Sequence, residues 1–149
     1  MQETHMFVLW DISDKSVVLE VENKVIENFE LLSKSTIGSI SDNINDEIRV
    51  KMLNIMYRNE LDESILRGLP KGKSDFNVYL VSDKKPKYEL IRTKRQHKHF
   101  NSRVLKVKKS IRSGRPNFFH AADNTQEVHD NLKAFSDLEI NNVLYRNWL

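Results

Sequence analysis

Two short runs of the chain consist largely of strand-forming apolar residues, and they constrain the fold more than any other feature. Residues 6–10 are Met, Phe, Val, Leu and Trp in succession, and residues 75–81 are largely apolar on both faces of an extended chain. Runs of this length and composition are typical of strands buried within a sheet. The two runs therefore predict a first strand and a central strand in a fold built around a sheet.

Helical spacing of apolar residues, every three or four positions, recurs between the strands. The expected helices span residues 18–29, 44–57, 61–66, 104–111 and the segment after Asn124. Further strands are expected at residues 29–36, 88–93 and 118–119. The β-branched content of residues 17–21 leaves a strand as the alternative for the first helix. Asn124 and Glu127 have the spacing of a capping box, which favours a helix start there.

This order of elements is that of an α+β or α/β domain with four or five strands. A ferredoxin-like antiparallel sheet with helices packed on one face fits it. The length of 149 residues suits one domain, residues 1–149, and the apolar tail at 138–149 is expected to pack as a lid.

Composition excludes several classes of chemistry and location. The chain has no cysteine, so disulfides, thiolate metal sites and cysteine nucleophiles are ruled out. No run approaches the ~20 apolar residues of a membrane span, and the start lacks the features of a signal peptide. The expectation is a cytoplasmic protein without a membrane partner.

The net charge is only +3, but basic and acidic residues are concentrated in different parts of the chain. Residues 84–115 contain thirteen Lys or Arg and one acidic residue, Glu89, which leaves eleven basic and twenty acidic residues elsewhere. Such a segment indicates a surface for anions, with a solvated basic face as the plain alternative. Interleaved Tyr88 and Phe100 also fit a nucleic-acid-binding stripe. His97 and His99 are better explained by a solvated loop than by a metal site.

The sharpest local feature follows this basic segment, where His120 ends a predicted strand just before a capped helix. An imidazole can act as nucleophile or base near neutral pH, and a helix start presents free N–H groups to anions. The arginines upstream can bind phosphate oxygens through their guanidinium groups. A half-buried packing histidine beside two phenylalanines is the alternative interpretation.

Asn117, His120 and Asp123 keep the spacing of the Asn-x-x-His-Gly-Ser-Asp motif of nucleoside diphosphate kinases. The segment resembles the active-site strand of that family. The predicted order of elements is similar to that of the family over most of the chain. Tyr57, near the end of a predicted helix, is similar to the family's active-site tyrosine. The resemblance implies a ferredoxin-like fold.

The resemblance also implies that His120 takes the γ-phosphoryl group of a nucleoside triphosphate and passes it to a diphosphate. The implied nucleotide- and phosphate-binding residues are Arg95 and Arg112, with Arg92 or Arg115 as substitutes, together with Asn117 and Tyr57. Asp123 and Glu127 are expected to support the histidine from behind. Mg²⁺ would accompany the nucleotide, since phosphoryl transfer requires charge neutralisation. The sequence leaves open whether the protein forms a homo-oligomer.

The chain departs from the family at several positions. Trp10 occupies the place of the family's catalytic lysine, and the nearest lysine, Lys15, is displaced. Two alanines replace the Gly-Ser pair after the histidine. The glutamate that orients the family's histidine falls nearest Asn131, with Glu127 or Asp130 as substitutes. We therefore expect binding of a nucleotide or another phosphorylated ligand, with phosphoryl transfer as its extension. A non-catalytic nucleic-acid or polyanion module using residues 84–115 is the alternative.

Overall fold

The computed structural model describes residues 2–38, 46–57, 61–92, 97–115 and 117–137. Its elements are β1 (Glu3–Leu9), α1 (Lys15–Asn28), β2 (Glu30–Ile37), α2 (Asp46–Met56), α3 (Glu63–Gly68), β3 (Phe76–Asp83), β4 (Tyr88–Arg92), β5 (His97–Asn101), α4 (Ser102–Arg112), β6 (Phe119–Ala121) and α5 (Thr125–Asp137). Residues 41–43, the expected lid at 138–149 and Arg95 lie outside the described residues.

The main sheet has four antiparallel strands in the order β2-β3-β1-β6. β1 is paired along its whole length with β3 on one side and over its last residues with β6 on the other. Val8 of β1 therefore lies between Val78 and His120 in the register. The predicted α+β class and antiparallel sheet are confirmed.

Helices cover both faces of this sheet, so the expectation that they lie on one face is wrong. Met6 and Val8 of β1 pack into a core with α2 and α5, whereas Phe7 and Leu9 pack into a second core with α1 and α4. Successive side chains of a strand point to opposite faces. A strand that is apolar throughout therefore has to be covered on both sides.

A separate two-stranded sheet, formed by β4 and β5, differs from the prediction for this region. Residues 97–99, which were expected in a loop, belong to β5, and their ladder partners are residues 90–92. Residues 97–99 are His, Lys and His, and without apolar residues they give no periodic signal that would predict a strand. No helix in the described part of the chain has the length and hydropathy to cross a membrane.

The loop that connects α3 to β3 is fastened from inside by Arg49 of α2. The Arg49 side chain is fully buried and donates to the carbonyl oxygens of Arg67, Leu69 and Lys71 at 3.0, 3.0 and 3.1 Å. Gly72 has φ +84°, and a Cβ there would lie 3.1 Å from Cγ of Arg49. The loop thus depends on a glycine for both its backbone conformation and its close approach to Arg49.

Replacing Gly72 with alanine should lower the free energy of unfolding by about 1–3 kcal/mol, because the new side chain meets both a left-handed backbone and the Arg49 stem. Urea denaturation followed by circular dichroism measures the change. Gly68→Ala is the matched control, since nothing lies within 4 Å of a Cβ at that position. Equal stability of the two variants would show that the loop tolerates a side chain at residue 72.

Candidate functional site

His120 is placed by the short strand β6, between two residues that belong to the core. Phe119 and Ala121 point into the core under α1 and α4. Because side chains alternate along a strand, His120 points to the opposite face, where α2 and α5 pack. There its ring meets that of Tyr57, just beyond the end of α2, edge to face with centroids 6.2 Å apart. The structure therefore brings together two residues that the family resemblance had singled out.

Asn131 of α5 fixes the orientation of the His120 ring. Its Oδ1 lies 2.9 Å from Nε2 of the histidine. Because an amide oxygen only accepts, Nε2 carries the proton and Nδ1 keeps its lone pair. Nδ1 makes no hydrogen bond to any residue that the structure describes. The ring is thus held by one nitrogen and leaves the other available for a ligand.

Burial lowers the pKa of His120 to about 3, and the nearby charge of Lys108 lowers it further, as does that of Lys71. The hydrogen bond that His120 donates to Asn131 and the charge of Glu127 oppose this shift without cancelling it. An imidazole with such a pKa is neutral at pH 7. It can act there as a nucleophile or a hydrogen-bond acceptor.

The positive charges of Lys71 and Lys108 act on His120, and that of Arg112 acts on Lys71. Lys71, from the loop before β3, places Nζ 4.4 Å from the centre of the Tyr57 ring. Burial lowers the pKa of Lys71 to about 8, and the charges of Arg112 and Lys108 add to the effect. In the described part of the chain, neither Lys71 nor Arg112 forms an ion pair with an acidic residue. The site therefore carries a local excess of positive charge.

Lys108 and Arg112 of α4 add to this positive charge. Both are half-buried on α4, and their charges reach Lys71 across the site. The spacing of four residues places the two on one face of the helix, one turn apart. One edge of the basic face of α4 therefore forms part of the wall around His120.

Arg115 and Asn117 lie beside the site in the loop before β6. The Arg115 guanidinium donates to the carbonyl oxygens of Ile111 and Arg112 at 2.6 and 3.3 Å, and it stacks 4.0 Å from the centre of the Phe118 ring. It therefore holds the end of α4 and the strand entry. Asn117 has φ 56° and lines a cavity of about 290 Å³ together with Trp10.

Asp123 and Glu127 build the start of α5. The Glu127 carboxylate accepts from the Asp123 N–H at 2.8 Å, and the Glu127 N–H donates to Oδ1 of Asn124 at 3.0 Å. The predicted capping box therefore forms, shifted by one residue on one arm. Arg92 lies at the end of β4, on the two-stranded sheet rather than on the sheet that carries His120.

Lys71 is the site residue that the sequence reasoning missed. Its loop contains glycine and lysine, but they lack the spacing of a phosphate-binding P-loop. Trp10 is buried against Phe76, with ring centroids 5.0 Å apart, so β1 ends in an apolar side chain. The lysine beside His120 comes instead from the loop before the neighbouring strand β3. No local signal distinguishes it from the other lysines of that loop.

Comparison with known proteins finds a similarity in fold. No family model matches the sequence, and no curated protein gives a significant match to it. Among solved structures, an orthorhombic crystal form of the Aquifex aeolicus nucleoside diphosphate kinase is similar, with a TM-score of 0.55 over 95% of this chain and 100% of that one. The sequence identity is 11%. The chain therefore has a nucleoside-diphosphate-kinase-like fold.

Replacing Asn131 with aspartate should raise the pKa of His120, because a carboxylate stabilises the imidazolium more than the amide does. The measurement is an NMR titration of the histidine Cε1–H signals from pH 3 to pH 9, with His120 assigned through His120→Gln. Asn124→Asp makes the same chemical change at the start of the same helix and should leave the His120 signal in place. An unchanged pKa in Asn131→Asp would contradict the hydrogen bond described above.

Stability should fall in the wild type as the pH drops below 6.5 toward 3. The unfolded state binds a proton to His120 in this range while the folded state, with a pKa of about 3, does not. His120→Gln should remove this part of the acid sensitivity. Thermal unfolding of the two proteins at several pH values measures it, and parallel pH profiles would argue against a buried neutral histidine.

Proposed function

We propose that this protein binds a nucleotide or another phosphorylated ligand beside His120, and that the histidine accepts a phosphoryl group from it. The observation that carries the proposal is a neutral imidazole with one unbonded nitrogen, which feels the positive charges of Lys71 and Lys108, with Arg112 acting on Lys71 in turn. A phosphoryl group matches this arrangement, because its negative oxygens can pair with the basic side chains and its phosphorus is an electrophile for the imidazole nitrogen.

The cations would neutralise the ligand's charge. Arg112 can present paired N–H donors to two phosphate oxygens, and Lys71 and Lys108 can act as point charges on either side. Because the site is partly withdrawn from water, these interactions are stronger than they would be on an exposed surface. The excess of positive charge favours ligands with at least two negative charges, such as diphosphates and triphosphates, over monoanions.

In the transfer step, the lone pair on Nδ1 would attack the terminal phosphorus of a nucleoside triphosphate. An N–P bond forms, and the bond from phosphorus to the bridging oxygen breaks, so the diphosphate leaves with the electron pair. A terminal oxygen of a second diphosphate then attacks the phosphohistidine, and the N–P bond breaks. Asn131 would hold the ring for both attacks through Nε2, while Tyr57 supports its face.

Mg²⁺ enters this proposal as part of the ligand. The described residues hold no cluster of three metal-binding side chains, and the groups around His120 are cationic. A divalent ion would therefore be held by the phosphate oxygens themselves, whose charge it would help to neutralise.

We expect the protein to bind the phosphorylated ligand, whereas transfer of the phosphoryl group to His120 should be slow. Ala121 and Ala122 are buried and offer no hydroxyl beside the histidine. Asn131 cannot stabilise positive charge on the ring as a carboxylate would. Losing one electrostatic donor at a reacting centre costs about 10²–10³ in rate. We therefore expect the phosphohistidine to form over minutes rather than milliseconds.

Incubation with Mg²⁺ and γ-labelled ATP should place acid-labile phosphate on His120. His120→Gln should abolish the label, while His129→Gln, at an exposed histidine of α5, should label like the wild type. The label is measured after gel separation at alkaline pH, and its site by peptide mapping. Equal labelling of His120→Gln and wild type would reject the covalent step.

Arg112→Ala should weaken ATP binding by about 10- to 100-fold, since one charge-assisted pair of hydrogen bonds is lost. Isothermal titration calorimetry measures the affinity. Lys106→Ala removes one positive charge from an exposed position of the same helix and should change the affinity by less than about threefold. Similar losses in both variants would indicate attraction by overall charge rather than a bound phosphate.

The alternative function, polyanion binding without chemistry, is supported by a groove at the end of α4. Lys109, Arg112 and Arg115 line this groove, which encloses about 450 Å³. The two functions differ in what they require of His120. A nucleic-acid module would bind labelled RNA with an affinity that falls steeply between about 50 and 200 mM salt, equally in wild type and His120→Gln. RNA binding that is weak at every salt concentration would reject this alternative.

A further inference from the structure

The buried Arg49 side chain makes most of its hydrogen bonds to one stretch of backbone, the end of α3 and the loop that follows it. Besides an ion pair with Asp46 at 2.9 Å, its guanidinium donates to four backbone carbonyl oxygens between residues 66 and 71. Its side chain has no solvent-exposed surface. A buried guanidinium is costly unless its donors are satisfied, and the loop carbonyls satisfy them. The loop and Arg49 therefore depend on each other.

Lys71 is held through its backbone by Arg49 of α2 and through its side chain by Tyr57, which follows the helix. Its carbonyl oxygen accepts from Nη1 of Arg49 at 3.1 Å, and its Nζ lies 4.4 Å from the centre of the Tyr57 ring. Arg49 and Tyr57 are eight residues apart, about 12 Å along the helix direction. Gly72 follows at once, close enough to touch the Arg49 stem. With its backbone pinned at one end, Lys71 is directed along α2 toward the ring of His120.

We propose that Arg49 is a positioning residue, which holds residues 69–72 so that Lys71 enters the His120 site as a phosphate-binding group. The first half of this inference concerns the unliganded protein. The second half rests on the proposed function, because it assumes that a phosphorylated ligand binds beside His120.

A purely structural role for Arg49 makes a different prediction. Arg49 would then stabilise the packing of α2 against the loop, and its conservative replacement would lower stability without moving Lys71. The environment of the Lys71 amine separates the two roles. At its present position burial and the charges of Arg112 and Lys108 hold its pKa near 8, whereas a lysine that has left the site returns toward 10.5.

The test without ligand is an NMR titration of the full chain with ¹³C-methylated lysines, Lys71 being assigned through Lys71→Arg. In the wild type we expect one lysine to titrate near pH 8. In Arg49→Lys this signal should move toward the ordinary range. Gly72→Ala displaces the same loop by a second route and serves if Arg49→Lys fails to fold. A Lys71 signal that stays near pH 8 in a folded variant of either kind would overturn the positioning role.

Arg67→Ala is the matched control for this titration. Arg67 also pairs with Asp46, at 3.2 Å, but its other partners are the exposed carboxylates of Glu47 and Glu63. Its guanidinium makes no hydrogen bond to a loop carbonyl among the described residues. Removing it should leave the Lys71 titration unchanged, which separates the loss of Arg49 from the loss of any arginine near Asp46.

The test with ligand uses inorganic tripolyphosphate and calorimetry. Lys71→Ala and Arg49→Lys should each weaken binding by about 10- to 100-fold, and Lys71→Arg should keep most of it. Lys51→Ala, at an exposed position of α2, removes the same charge and should change the affinity by less than about threefold. Wild-type affinity in Lys71→Ala would overturn the phosphate-binding role. No binding to the wild type would reject the proposed function, while the titration without ligand would still decide the role of Arg49.

Discussion

Strand β1 is the element on which the described structure depends. It pairs with β3 along one edge and with β6 along the other, and it carries the apolar side chains of both cores. Because all residues of its second half are buried, no register shift is possible without exposing one face. The pairing of Val8 with His120 follows from this register. The position of the candidate site is thus a consequence of how β1 is buried.

The chemistry of the site comes from an imbalance of charge around a neutral ring. Burial keeps His120 uncharged, and Asn131 fixes which nitrogen carries the proton. Burial lowers the pKa of Lys71, and repulsion by Arg112 and Lys108 lowers it further. A bound anion would reduce this repulsion, so the charges around His120 favour an anionic ligand.

Local pattern predicted most of the elements, and the errors have a common cause. Helices α1, α4 and α5 were expected from apolar spacing, and their caps at Asp14, Asn101 and Asn124 confirm how local hydrogen bonds start them. The β4–β5 hairpin was only half predicted, and helices were expected on one face of the sheet. Both errors concern the partner of an element, which depends on residues distant in the sequence rather than on the element's own periodicity.

The sequence by itself determined most of the elements, including the strand that carries His120, because each follows from short-range periodicity and turn residues. The resemblance to nucleoside diphosphate kinases pointed to Tyr57, Arg112 and Asn131 as residues of interest around the histidine. Only the tertiary structure decided which lysine joins them. Lys71 reaches the site because Arg49, twenty-two residues earlier, binds its carbonyl oxygen. A hydrogen bond from a side chain to a distant backbone leaves no pattern in the sequence, since any residue in the loop offers the same acceptor.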